Sequence, residues 1–203
     1  TSNVAYAKYQ PTRRQEYSTI TIINDDNKVF KKPLSYGSIL HLEHMQKIHE
    51  KLSKNNINTY KISKNNDMFE LSFLEGKNLE EIIINDFSNA EMWIDKYIEF
   101  VHTLCKKGKM KKFANEKMKK IYENESTYIL KVGLLDFNFG NVIINNDQFY
   151  LFDQEWETDY DVPADYVVYF SIKLLFEKID NFEAKKEKMI EKINNNKPDI
   201  ILF

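Results

Sequence analysis

Alternating apolar and polar residues at the start of the chain predict three β-strands. The strands cover residues 4–9, 17–23 and 28–32, and they are rich in β-branched and aromatic side chains. A polar turn at residues 24–27 separates the second strand from the third, as in a hairpin. The pattern therefore predicts a three-stranded antiparallel meander.

A helical repeat follows the meander. After Ser38, which could cap a helix, apolar residues recur at steps of three and four positions. These residues are Ile39, Leu42, Met45, Ile48 and Leu52. Residues 59–63 and 68–73 then predict two more strands. Five strands and one helix make an expected first lobe of residues 1–75, and Gly76 marks its exit.

From residue 76 onward, helices dominate the predicted secondary structure. Asn78 can cap a short helix, and Ser88 or Asn89 can cap a longer one that is rich in apolar side chains. Farther along, short apolar segments predict strands around a loop, at residues 128–135, 142–144 and 149–152. We expect one α+β domain, in which residues 76–203 form a mainly helical second lobe with a short C-terminal region.

Composition and charge narrow the class of protein. With 203 residues, of which 42% are apolar, the chain can bury one core or two small lobes that share a cleft. A formal net charge of -2 gives no general attraction to nucleic acid or to an anionic membrane. The single cysteine, Cys105, excludes a disulfide framework, and no apolar run approaches the roughly 18 residues that span a bilayer. We expect a cytoplasmic protein with no nucleic-acid partner and no transmembrane segment.

Three polar residues with magnesium-binding chemistry interrupt the apolar segment 134–153. Asn141 comes five residues after Asp136, and Asp153 ends the predicted hairpin. Because a hairpin folds its second strand back along the first, we expect these three side chains to meet. Phosphoryl transfer needs a carboxylate that accepts the proton of the attacking hydroxyl, and oxygen ligands that hold Mg²⁺ against nucleotide phosphates. Taken singly, each residue could instead be a turn or cap residue.

This spacing resembles that of the aminoglycoside phosphotransferase and choline kinase branch of the protein-kinase-like superfamily. The loop of that family reads His-Gly-Asp-x-x-x-x-Asn and precedes a hairpin that ends in Ile-Asp-Trp-Glu. The resemblance implies a two-lobed kinase-like fold that uses ATP and Mg²⁺, with Asp136 as catalytic base and Asn141 and Asp153 as metal ligands. Leu134 stands where the family has its histidine. A catalytically silent nucleotide-binding pseudokinase module, scaffolding a larger glycan-synthesis protein, is therefore the alternative.

The run that follows Asp153, Gln154-Glu155-Trp156, is similar to a narrower group. These are the kinase domains of bacterial O-antigen chain-terminating kinase-methyltransferases and related glycosyltransferase-associated kinase domains. The similarity implies a carbohydrate or small-molecule hydroxyl as acceptor, a role in lipopolysaccharide biosynthesis, and a fused or associated methyltransferase or glycosyltransferase. Four acidic residues could bind sugar hydroxyls or an amine, or could belong to a polar loop: Glu155, Glu157, Asp159 and Asp161.

The family resemblance also implies nucleotide-binding residues in the first lobe. Lys31 on the third strand would reach the phosphates, and Val29 on the same face would contact the adenine. A register slip of one residue would exchange Lys31 with Lys32. Glu43 in the following helix is a better candidate than Glu50 for the ion-pair partner of Lys31, with a solvated surface position as the alternative.

Two further segments complete the expected nucleotide site. The loop between the first two strands has no glycine, but Arg13 and Arg14 could contact phosphate oxygens there, or could be surface residues. The segment Phe73-Leu74-Glu75 resembles the connector between kinase lobes, whose backbone binds the adenine edge. Helical spacing of His41, His44 and His49 could suggest a metal site, but no fourth ligand accompanies them.

Overall fold

The computed structural model of the chain describes residues 3–178. A five-stranded antiparallel sheet begins the fold, with the strand order β1-β2-β3-β5-β4. The strands are β1 (Val4–Tyr9), β2 (Thr19–Asn24), β3 (Val29–Pro33), β4 (Ile62–Asn65) and β5 (Met68–Leu71). Residues 179–203, the last part of the expected second lobe, lie outside the described residues.

Helix α1 (Tyr36–Lys54) connects β3 to β4 and packs on the sheet. Its N-cap is Ser35, whose hydroxyl accepts from the Ser38 backbone N–H at 3.1 Å. Ser38, which the sequence suggested as the cap, is instead the third residue of the helix, where it forms a capping box with Ser35. The helix buries Leu42 and Met45 in a small core whose other members come from the sheet and the segment before it: Tyr60, Ile62, Phe69 and Leu71.

The second part of the chain holds four helices and two small sheets within the described residues. After β6 (Lys77–Asn78) come α2 (Leu79–Asn85), α3 (Ala90–Thr103), β7 (Cys105–Lys109), α4 (Glu116–Tyr122), β8 (Ser126–Leu130), β9 (Val142–Asn145), β10 (Gln148–Leu151) and α5 (Ala164–Lys178). β7 pairs with β8, while β9 pairs with β10 on one side and with β6 on the other. The α+β class, with an N-terminal antiparallel sheet and one helix before a mainly helical region, is confirmed.

One large apolar core joins the first part of the fold, which ends with β5, to the second part, which begins with β6. Ile48, Leu52 and Ile57 lie in the same buried cluster as Leu79 and Tyr97 of the second part. The end of β10 is also tied to the first part, because the Leu151 backbone N–H donates to the Asn58 carbonyl at 2.9 Å. These contacts fix the base of the cleft between the sheet and the helices. The predicted division into lobes at residues 75 and 76 stays a prediction.

A membrane-spanning helix must be both long and apolar. No helix in residues 3–178 combines the length and the apolar character needed to cross a membrane.

Candidate active site

The β9–β10 hairpin brings Asn141 and Asp153 to the loop that carries Asp136. The Asn141 side-chain amide donates to the Asp136 carbonyl at 2.9 Å, and the Gln154 amide donates to the same oxygen at 3.3 Å. The backbone N–H of Glu155 donates to Asp136 Oδ2 at 3.3 Å. The loop of Asp136 is thus bonded to Asn141 and to the two residues that follow Asp153, because the hairpin returns the chain to its start.

Buried side chains hold the loop that carries Asp136, and one of them is Leu134. Leu134 is 2% exposed and packs in the large core, beside Phe137. The hydroxyl of Tyr97 donates to the Phe137 carbonyl at 3.2 Å, and Ser171 Oγ lies 3.3 Å from the same oxygen. Apolar packing and two buried hydroxyls from α3 and α5 therefore position the backbone next to Asp136.

Strand β3 directs Lys31 into the cleft. Lys31 is buried whereas Lys32 is exposed, as strand alternation requires. The Lys31 ammonium contacts Asp153 Oδ1 and donates to Glu155 Oε1 at 3.1 Å. Of the two lysines that the sequence left open, Lys31 is the one that faces the aspartates.

The prediction that Glu43 of helix α1 pairs with Lys31 is wrong. Glu43 lies at the protein surface and accepts from Lys64 Nζ at 2.8 Å, while Glu50 is exposed. The reason is helical geometry, because residues two positions apart point to nearly opposite sides of a helix. His41 faces the cleft, so Glu43 faces away from it.

Glu155 takes the place that was expected of Glu43. Its side chain is buried and accepts four hydrogen bonds, two from Arg13, one from Lys31 and one from His41 Nε2 at 3.2 Å. The sequence suggested sugar binding or a polar loop for Glu155; its segment is a loop, but the Glu155 side chain is buried and paired within it, and sugar binding stays a prediction. Because its partners lie 114 to 142 residues away in the chain, no local pattern reveals them.

The two aspartates have opposite electrostatic environments. Burial, followed by the negative charge of Asp153, raises the pKa of Asp136 to about 7, although Arg13 and Lys31 oppose this shift. Burial works against ionisation of Asp153 as well, but the Lys31 charge and hydrogen bond outweigh it and lower the pKa of Asp153. One carboxyl group is thus poised to exchange a proton near neutral pH, and the other is held as an anion.

Asp153 has a left-handed backbone conformation, which Asp adopts more readily than most residues other than glycine. Its φ angle is +54°, in the left-handed region, and its N–H donates to the Tyr60 hydroxyl at 3.2 Å. Its side chain is 41% exposed, in contrast to the buried Glu155 two residues later. Asp153 therefore keeps an open side toward the cleft.

The chemistry of the predicted metal ligands suits Mg²⁺. The Asn141 amide nitrogen is occupied by the Asp136 carbonyl, which leaves the amide oxygen as a donor, and Asp153 offers carboxylate oxygens. Magnesium is commonly held by one or two protein oxygens with phosphates and water as the remaining ligands. Within residues 3–178, no group of three or more His, Cys, Asp or Glu side chains is arranged to hold a metal ion. A magnesium ion held by Asn141 and Asp153 would take its remaining ligands from phosphate and water.

Two of the three histidines of α1 are buried and pack against aromatic side chains. Burial, together with the charges of Arg13 and Lys31, lowers the pKa of His41 to about 4. Its ring packs against Tyr17 and Trp156, with centroid distances of 5.1 Å to each. His49 stacks on Tyr60 at 4.2 Å. His44 is exposed.

The remaining predicted nucleotide residues lie in two places. An open pocket of about 540 Å³ is lined by Phe73, Leu74 and Glu75, together with the β2–β3 turn and strand residues of the β9–β10 hairpin. Val29 packs against the small core, as does Leu74. Arg13 points inward to Glu155, whereas the side chain of Arg14 is exposed. The structure thus separates the two arginines.

Comparison with known proteins gives a structural likeness without a sequence match. No protein-family model matches the chain, and no curated protein matches it. Among solved structures, the chain is similar to the ADP-bound aminoglycoside phosphotransferase APH(2'')-Ib, with 9% identity and a TM-score of 0.46. The match covers 96% of this chain and 92% of that chain. Because the identity and the TM-score are this low, we draw no conclusion about function from this similarity. The proposed function depends instead on the contacts described above.

Proposed function

We propose that this chain is a magnesium-dependent ATP phosphotransferase whose acceptor is a hydroxyl group. The observation that carries the proposal is the meeting of Asp136, Asn141, Asp153 and Lys31 around one end of the cleft. A carboxylate, two oxygen donors and a buried ammonium are the groups that phosphoryl transfer requires.

Each residue has a distinct role in this proposal. Lys31 and Arg13 place positive charge beside the phosphate oxygens. Asn141 and Asp153 would hold Mg²⁺, which would supply positive charge to neutralise the phosphates. Asp136 accepts the proton of the acceptor hydroxyl while that oxygen bonds to the γ-phosphorus. The bond between the γ-phosphorus and the β–γ bridging oxygen then breaks, and ADP leaves with that electron pair.

The nucleotide base belongs at the connector in this proposal. The backbone of Phe73, Leu74 and Glu75 would bind the adenine edge, and Val29 would contact its face. Phe73, Leu74 and Glu75 line the open pocket, and Val29 packs with Leu74 against the small core. We also propose that residues 1–75 and 76–203 act as the two lobes around this cleft.

The proposal also includes the kind of molecule that receives the phosphate. The similarity of residues 153–156 to glycan-associated kinase domains supports a carbohydrate or small-molecule hydroxyl, in bacterial surface polysaccharide synthesis in the cytoplasm. A fused or associated methyltransferase or glycosyltransferase is the corresponding partner. Aminoglycosides and choline are the acceptors of the broader family branch, and an acceptor screen separates these possibilities.

The test is ADP release from ATP by the purified chain, with and without acceptors. The panel contains mannose, galactose, N-acetylglucosamine, kanamycin and choline, each with Mg²⁺ or with EDTA. Release that needs both Mg²⁺ and one acceptor supports the proposal. A chain that neither binds MgATP nor releases ADP with any acceptor contradicts it.

One observation favours a second function, a catalytically silent nucleotide-binding module. The ammonium of Lys31 occupies Asp153 Oδ1, an oxygen that a phosphotransferase needs for its metal ion. In that case Lys31 stays paired with Asp153 when nucleotide is bound. Calorimetry that shows MgADP binding, with no phosphoryl transfer to any of a wide set of hydroxyl acceptors, identifies the silent module.

A further inference from the structure

We propose that Glu155 is the positioning residue for the phosphate-binding cations, in the role that a helix glutamate was expected to fill. This inference rests on the proposed function, because it concerns the same nucleotide site. Glu155 does not contact the reacting atoms in this view. It acts through Lys31 and Arg13, which contact the phosphates.

The first support is the set of partners around one buried carboxylate. Oε1 of Glu155 accepts from Lys31 Nζ at 3.1 Å and from Arg13 Nη1 at 3.2 Å. Oε2 accepts from Arg13 Nη2 and from His41 Nε2. A carboxylate this deeply buried is stable only when it is paired and hydrogen-bonded, and each partner is in turn fixed by it. Glu155 therefore sets the positions of both cations.

The second support is the contrast between the two acids that bind Lys31. The Glu155 side chain is 5% exposed, whereas the Asp153 side chain is 41% exposed. A ligand in the cleft can reach Asp153 but not the far side of Glu155. Lys31 can thus exchange Asp153 for a phosphate oxygen while Glu155 continues to hold its ammonium. The buried acid positions the lysine, and the open acid remains available to a metal ion.

The third support concerns helix α1, which gives an imidazole to the site instead of a carboxylate. His41 donates from Nε2 to Glu155, and its ring is enclosed by Tyr17 and Trp156. This enclosure holds the helix against the segment after Asp153 without an ion pair from Glu43. The position of the helix is therefore coupled to Glu155 rather than directly to Lys31.

The experiment compares Glu155→Gln with Glu43→Gln by calorimetric titration with MgADP. The first variant removes the charge at the site with little change of size, and the second removes the glutamate that sequence reasoning favoured. Glu155→Gln should weaken MgADP binding by about tenfold or more, while Glu43→Gln should stay within about twofold of the wild type.

A double-mutant cycle separates positioning from a general structural effect. In a Lys31→Met background, Glu155→Gln should weaken MgADP binding by only about threefold further, because of the two cations that it positions only Arg13 remains. Equal effects of Glu155→Gln in both backgrounds would overturn the positioning role.

A structure of the wild-type chain with MgADP keeps the inference testable if Glu155→Gln does not fold. The expected result is Lys31 Nζ within hydrogen-bonding distance of Glu155 and of a phosphate oxygen. Lys31 paired with Glu43, or parted from Glu155, overturns the inference alone, as does a folded Glu155→Gln that binds MgADP like the wild type. A wild-type chain that does not bind MgADP overturns both the inference and the proposed function.

Discussion

Arg13 and Glu155 are separated by 142 residues, yet both terminal nitrogens of the Arg13 guanidinium contact the Glu155 carboxylate. This fork-shaped pair ties the loop between β1 and β2 to the segment after β10. In a loop without glycine, a side chain from one end of the chain thus closes over the cleft. The next residue, Arg14, remains at the surface.

The first prediction uses this difference between neighbouring arginines. Arg13→Gln should weaken MgADP binding by about tenfold, because it removes a cation from the proposed phosphate site and frees the loop. Hydrogen exchange in residues 10–16 should rise in this variant. Arg14→Gln is the matched control and should change neither quantity by more than about twofold. Equal effects of the two substitutions would show that Arg13 has no special role.

The sequence predicts one half of this site and misses the other, for a physical reason. Asp136, Asn141 and Asp153 are brought together by a single hairpin, so their spacing along the chain reports their proximity in space. Glu155 owes its environment to Arg13 and Lys31, which reach it only after the sheet has packed against the second part of the fold. Tertiary contacts of that kind leave no local pattern.

Helix α1 illustrates the same limit on a smaller scale. Its apolar period predicts the helix and its buried face, since Leu42 and Met45 are both in the core. The family resemblance predicts that Glu43 faces Lys31, whereas the apolar period of the helix puts Glu43 at the surface, where it lies. The position of His41 in that period could have indicated a buried histidine near the cleft.

The second prediction concerns the connector between the two parts of the chain. Gly76 has a φ angle of +133°, and a Cβ atom there would lie 2.7 Å from Ile143 Cγ2 and closer still to the Ile144 carbonyl oxygen. Gly76→Ala should therefore lower the free energy of unfolding by about 2–4 kcal/mol. At Gly108 a Cβ atom would meet only open space, so Gly108→Ala should change stability by less than about 1 kcal/mol. Urea denaturation measures both, and similar losses in the two variants would contradict this geometry of the connector.

The third prediction is a pH dependence of stability that arises from His49. Burial lowers the pKa of His49 to about 4 from the ordinary value of 6.5, and its Nε2 has no hydrogen-bond partner among the described residues. The unfolded chain therefore binds more protons between these two values. The contribution of His49 to the free energy of unfolding should be fully present above about pH 6.5 and should fall by up to about 3 kcal/mol as the pH drops towards 4.

Two variants of the same helix test this dependence. His49→Phe keeps an aromatic ring beside Tyr60 and removes the titrating group, so it should make the unfolding free energy less steeply dependent on pH between about 4 and 6.5, while the part that His41 contributes remains. His44→Phe, at an exposed position, should leave the slope of the wild type. An unchanged slope in His49→Phe would exclude His49 as the source.

The central claim is that Asp136 takes the proton of the acceptor hydroxyl, and the most direct test separates nucleotide binding from phosphoryl transfer. The variants are Asp136→Asn and, as control, Asp147→Asn in the exposed β9–β10 turn. We predict that Asp136→Asn binds MgADP within about threefold of the wild type but loses at least about 100-fold in kcat with the best acceptor, while Asp147→Asn retains both. An Asp136→Asn variant with the wild-type kcat would contradict the claim.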